Sequence, residues 1–178
     1  MRRCFATLLC GALALATLGC SQDDPPKQAA GPRQDFVADS PVGGPALSLR
    51  LSSKSATSLT LQIVGSGIAE TSGVAYRLSY DAAVLSYSAQ RVGAGFSAVG
   101  DTVAAAKESR PGLLVGAVGV QGLGTLKAQD VVLAEVDFAL PGKGQTRVDF
   151  VPGRSAALDA QSAPLPGVSL LGGSLTVR

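Results

Sequence analysis

The stretch "YRLSYDAAVLSYSAQ", residues 76 to 90, decides how the rest of the chain is read. Apolar and polar residues alternate as far as Tyr80, the pattern breaks at Asp81, and a second run resumes at Val84, Leu85 and Tyr87. A period of two belongs to a strand with one face buried, and Asp is a turn residue whose carboxylate accepts hydrogen bonds from amides two or three residues on. The joint therefore predicts a strand ending at Tyr80, a turn closed by Asp81 without a glycine, and a second strand. Tyr80 should bury its ring and send its hydroxyl to the edge of the fold. Asp81 is given a structural role, not a catalytic one.

Working outward, the same period recurs. "ALSLRL" puts Leu47, Leu49 and Leu51 on one face, and "SLTLQIV" does so with Leu59, Leu61 and Ile63. "GVAYRLSY" aligns Val74, Tyr76, Leu78 and Tyr80 against Ala75, Arg77 and Ser79. "VVLAEVDFAL" aligns Val132, Ala134, Val136, Phe138 and Leu140, with Glu135 and Asp137 outward. "TRVDFV" and "GSLTVR" continue the pattern, and Ser-Gly, Pro-Gly, Gly-Lys-Gly and Leu-Pro-Gly turns punctuate it. The best helix candidate is Ala-rich "DTVAAAKESR", Asp101 to Arg110, where a strand ending in a loop fits as well. "GLLVGAVGVQG" is apolar on both faces, as expected of a central strand buried in the fold or covered by a loop or partner. The whole predicts an all-β, nine-stranded antiparallel β-sandwich over residues 46–178, large enough to bury a core without disulfides.

The N-terminus reads as a targeting device. Arg2 and Arg3 precede the apolar run "CFATLLCGALALATLG", which is too short for a flanked membrane span. Small residues before Cys20 resemble a bacterial lipobox, with Thr17 where the box favours Leu. That resemblance implies a signal peptide over 1–19 and a lipidated Cys20. An ordinary secretory signal cleaved near Gly19 would leave Cys20 a plain thiol. The anchor is the simpler reading because the other cysteines, Cys4 and Cys10, lie in the segment removed, so no disulfide framework remains. Two or three acyl chains hold a protein firmly on a bilayer. Ser21, where an Asp often signals inner-membrane retention, points to the outer membrane of a Gram-negative bacterium. Residues 20–45, rich in Pro, Gly and charge, read as a flexible tether in which Phe36 and Val37 form the one bulky apolar pair.

Composition narrows the functions. Lys and Arg number 15 against 13 acids, and removal of Arg2 and Arg3 leaves the two balanced. A neutral chain without a basic run argues against nucleic acid. With no histidine there is no Ser-His-Asp or Cys-His machinery and no imidazole ligand. Glu135 and Asp137 could hydrolyse as a carboxylate pair, but two acids on the solvent side of a strand are ordinarily solvated surface. No catalytic residue is assigned. No cofactor or metal is called for: Asp81, Asp101 and Asp159 are potential calcium ligands that lack EF-hand spacing.

The strand ending in Tyr80-Asp81, the two small residues and Val84-Leu85 resemble the signature of cohesin domains and related cellulose-binding modules. "VVLAEVDFAL" is similar to their late aliphatic-Ala-x-aliphatic-x-Phe strand, and "ALDAQSAPLPGVSLLGGSLTVR" to their closing turn and final strand. The likeness runs from Ala46 to Arg178 and implies a jelly-roll sandwich. Cohesins bind dockerins, small calcium-loaded helical modules, through one outer sheet face that includes the strand before Tyr-Asp. An Asn and an Asp there help to hold the partner; aligned on Tyr80-Asp81, those positions read Gly73 and Ala75, and Ala82 replaces the usual Pro. The resemblance implies a non-catalytic, lipid-anchored envelope protein that binds a protein partner, dockerin-like or another envelope protein, through Ala75, Arg77 and Ser79. The alternative is a carbohydrate-binding module that stacks polysaccharide on exposed aromatics, for which Tyr87 and Phe96 are the candidates.

Overall fold

The structure, a computed structural model, describes residues 33–41 and 43–178. The signal segment, Cys20 and the tether up to residue 32 lie outside the described residues. In chain order the elements are β1 (Gln34–Ala38), β2 (Ala46–Lys54), β3 (Ser58–Ser66), β4 (Ile68–Thr71), β5 (Gly73–Ser79), β6 (Ser86–Val92) and a one-turn helix α1 (Ala94–Ser97). There follow β7 (Thr102–Arg110), β8 (Leu113–Val120), β9 (Leu126–Ala128), β10 (Val131–Ala139), β11 (Gly144–Phe150), β12 (Ala156–Leu158), β13 (Ser169–Leu171) and β14 (Gly173–Val177).

Two sheets enclose the core. A seven-stranded sheet runs β1-β14-β11-β5-β8-β7, with β12 also pairing β5, and a five-stranded sheet runs β13-β2-β3-β10-β6. All pairings are antiparallel except β13 with β2, and β4 and β9 form a small separate ribbon. The chain passes repeatedly from one sheet to the other, as in a jelly roll. The all-β sandwich expected from the period of two is what forms. The described strands exceed nine because β4, β9, β12 and β13 are three or four residues long, too short to show a period, and because β1 precedes residue 46.

Leu47, Leu49, Leu59, Leu61 and Ile63 from one sheet face Val74, Tyr76, Leu78, Leu114, Val118 and Val148 from the other, all buried. Full burial of each such side chain contributes about 1.5–3 kcal/mol. The alternation slips at one place. A bulge between Val132 and Ala134 buries Leu133 and Ala134 together and leaves Val132 half-buried, so the expected inward set of β10 begins one residue later than its period suggests. The Ala-rich segment is strand β7, paired along its length with β8, so non-local pairing decides between the helix and strand readings. β1 falls within the stretch read as tether. It pairs β14 over five residues, with Gln34 opposite Val177, and Phe36 packs against Gly173.

Candidate functional site

Asp81 does what a turn aspartate does. Its carboxylate accepts the Ala83 amide at 2.8 Å, its carbonyl accepts the amides of Val84 and Leu85, and its own amide donates to Thr146 Oγ1 at 2.8 Å. Tyr80, only 8% exposed, stacks edge-on against Phe138 with ring centroids 5.2 Å apart. Its hydroxyl donates to Glu108 on the edge strand β7 at 2.7 Å, and the same carboxylate oxygen accepts the Gly112 amide at 3.0 Å. Burial, then the hydrogen bond and charge of Glu108, push the Tyr80 pKa well above the usual tyrosine range. The joint thus ties the end of β5 to the β7–β8 hairpin. Gly112 closes that hairpin after Pro111 with φ +78°, as a Pro-Gly turn requires.

The outer face of these strands is the candidate surface. Ala75 lies opposite Ala117, which lies opposite Ala105; Arg77 lies opposite Val115, which lies opposite Lys107. Ala75, Ala105, Ala117 and Val115 floor a shallow depression of about 460 Å³, rimmed by Arg77, Lys107 and Arg154. A second hollow continues it over Ala105 and Ala117 towards Val103, which is 52% exposed. Of the three residues singled out in the sequence, Ala75 and Arg77 line the depression, while Ser79 sits one row further on, with its hydroxyl 3.4 Å from the Asp149 carbonyl. The contributions of Ala105, Lys107 and Arg154 are missed by sequence reasoning. The first two depend on the register of β7 against β8, and Arg154 lies in the β11–β12 loop, where no periodicity points to it. The apolar "GLLVGAVGVQG" resolves into Leu114 and Val118 facing the core and Val115 and Ala117 facing out.

The floor is braced from beneath. Tyr76 is 1% exposed, and its ring fills the space that a side chain at Gly116 would take: an added Cβ would lie 2.4 Å from Tyr76 Cζ. The Tyr76 hydroxyl has no hydrogen-bond partner among the described residues, and burial, then the proximity of Tyr87, raises its pKa above the tyrosine range. Gln90 on β6 donates to the Ala117 carbonyl at 3.1 Å, propping β8 from the opposite sheet.

The aromatics proposed for sugar stacking are not displayed together. Phe96 is fully buried within α1, which corrects its reading as an exposed ring, and Tyr87 is half-buried opposite Phe138. Glu135 and Asp137 face outward on the other sheet, where Arg91 bonds both. Gln62 donates to Glu135 at 2.8 Å and Thr60 to Asp137 at 2.7 Å. Partial burial opposes ionisation of Asp137, but the bonds from Arg91 and Thr60 outweigh it and hold the carboxyl below its usual range. Asp137 is thus held as an anion within a ladder of partners that also engages Glu135, and the pair lacks the raised-pKa acid that such hydrolysis needs. Asp159 caps its own turn through the amides of Gln161 and Ala163. Among the described residues no three His, Cys, Asp or Glu side chains cluster as metal ligands.

No protein-family model matches the sequence, and no curated protein matches it significantly. Solved structures do match. A cohesin module from a Clostridium perfringens family 33 glycoside hydrolase aligns with TM-score 0.59 at 12% identity, over 75% of this chain and 96% of that one. The domain has the cohesin fold. A type II cohesin from Acetivibrio cellulolyticus, solved in a cohesin–X–dockerin complex, aligns at 0.57 and 12% over 70% and 93% of the two chains. The sixth cohesin of scaffoldin B from the same organism, solved with a Cel5 dockerin, aligns at 0.53 and 18% over 72% and 96%. Gly73 is tightly packed within this fold. It lies opposite Gly119, and an added Cβ would stand 3.0 Å from the Val118 carbonyl.

Proposed function

We propose that the protein is a non-catalytic binding module of the cell envelope, carried on a lipidated Cys20 and a Pro-rich tether, that captures a protein partner on the outer face of β5, β8 and β7. The observation that carries this reading is the face itself: a floor of Ala and Val, braced by Gln90 and Tyr76, on a fold whose structural neighbours include cohesins in complex with dockerins. Buried Phe96 argues against glycan stacking, and the paired states of Glu135 and Asp137 argue against hydrolysis.

The test is a pull-down from extract of the native organism with the full chain as bait, in calcium and in EDTA, beside an Ala117→Arg variant. Ala117 is exposed, so the substitution blocks the face without touching the core. Capture that Ala117→Arg abolishes is the expected result, and calcium dependence would identify a dockerin-like partner. Capture by both proteins alike, or by neither, would sink the reading. Metabolic labelling with an alkyne fatty acid, lost on Cys20→Ser, tests the anchor.

A further inference from the structure

Three cations of this domain, Arg50, Arg91 and Arg147, sit in ion pairs, whereas those around the depression do not. On the opposite sheet Arg91 is held by Glu135 and Asp137, and Arg50 lies 3.7 Å from Asp130. At β11 Arg147 is gripped by Asp39 and Asp149, each at 2.7 Å. Arg77, Lys107 and Arg154 form no ion pair among the described residues, and no acid lines the depression that they rim. Uncompensated charges of one sign beside an apolar floor set up a local potential that water screens only partly, and such a potential selects the sign of what docks.

Resting on the binding role proposed above, we infer that the partner presents an acidic amphipathic protein segment: a narrow apolar ridge seated on Ala75, Ala105, Val115 and Ala117, flanked by carboxylates that meet Arg77, Lys107 and Arg154. Both halves of the surface require it. A bare polyanion would satisfy the cations and leave the alanine floor wet, forfeiting the apolar burial that the face offers. A second copy of the same face would set cation against cation.

The decisive experiment uses the full chain and three fluorescent probes: a short helical peptide with a Leu ridge flanked by Glu, the same peptide flanked by Lys, and poly-glutamate. At low salt the Glu-flanked peptide should bind on the order of tenfold more tightly than the Lys-flanked one, and the gap should shrink in high salt. Ala117→Arg should abolish its binding. Lys107→Glu, on an exposed edge strand, should reverse the preference, and Arg154→Glu, in an exposed loop, should do the same independently. Equal binding of both peptides at this face would overturn the acidic partner while leaving the docking role intact. Poly-glutamate binding as tightly as the Glu-flanked peptide would overturn the apolar ridge and assign the surface to polyanions. Failure of every probe, with Ala117-dependent capture still seen from extract, would overturn this inference alone.

Discussion

Two tyrosines on one strand end should respond to the same substitution with opposite signs. The Tyr76 hydroxyl is buried with no partner among the described residues, whereas the Tyr80 hydroxyl donates to Glu108 at 2.7 Å. A buried hydroxyl left unsatisfied costs about 1–3 kcal/mol, and Phe keeps the ring while removing it. Tyr76→Phe should therefore raise stability by about 1 kcal/mol. Tyr80→Phe deletes a bond to a carboxylate, a class worth about 1.5–3 kcal/mol, reduced here to about 1–2 because Glu108 is partly solvated. With roughly 3–5 °C per kcal/mol for a domain of this size, thermal melts near neutral pH should separate the two variants by several degrees on either side of the parent. Urea titration supplies the free energies with unchanged slopes. Equal destabilisation by the two substitutions would refute the argument and place a bound water on the Tyr76 hydroxyl.

Alkaline pH offers a second check. Burial raises the pKa of Tyr76 and Tyr80 above the ordinary 10.0, so the folded state holds these protons more tightly than the unfolded chain. Their contribution is whole below about pH 10 and fades as pH climbs past that value, so base-induced unfolding and tyrosinate absorbance should rise together, and Tyr76→Phe should blunt both. Phe96→Ala should lower stability by about 3–5 kcal/mol through a core cavity, with the folded fraction's probe binding unchanged by equilibrium titration. Gly112→Ala should cost about 1–3 kcal/mol in denaturant titration, because φ is +78° and the new Cβ would stand 2.4 Å from the Tyr80 carbonyl.

What the sequence discloses here is what neighbouring residues decide among themselves. Asp81 reaches amides two to four residues away, so its turn is written locally, and the inward sets of β3 and β5 follow from a period of two. What it conceals depends on distant pairing. β1 looks like linker because only Phe36 and Val37 are bulky in a polar neighbourhood, and its partner lies at the far end of the chain. Phe96 sits between glycines and small polar residues with no period, and its burial comes from packing against β10 and its neighbours. The bulge at Val132 shifts one face of β10 by a residue, which an alternation read by eye carries straight through. The candidate face is half legible for the same reason: β5 supplies Ala75 and Arg77, whereas Lys107 enters only through the register of an edge strand.

The pairing of β1 with β14 also has a mechanical meaning. The chain enters the sandwich at Arg33, whose carbonyl receives the Arg178 amide at 2.9 Å, and β1 is an outermost strand whose backbone ladder runs on one side only, with Gln34 also bonded to Lys54 and Ser55. Tension arriving through the preceding segment reaches this five-residue ladder before any strand of the core. A pull along the strand loads all five rungs at once, while a pull across the sheet opens them singly. Yielding would pay out residues 34–45, roughly 40 Å of slack at full extension, while β5, β8 and β7 at the other side of the sheet keep their pairing. Under such a load β1 is a fuse: a sacrificial strand that yields before the sheet beyond it does.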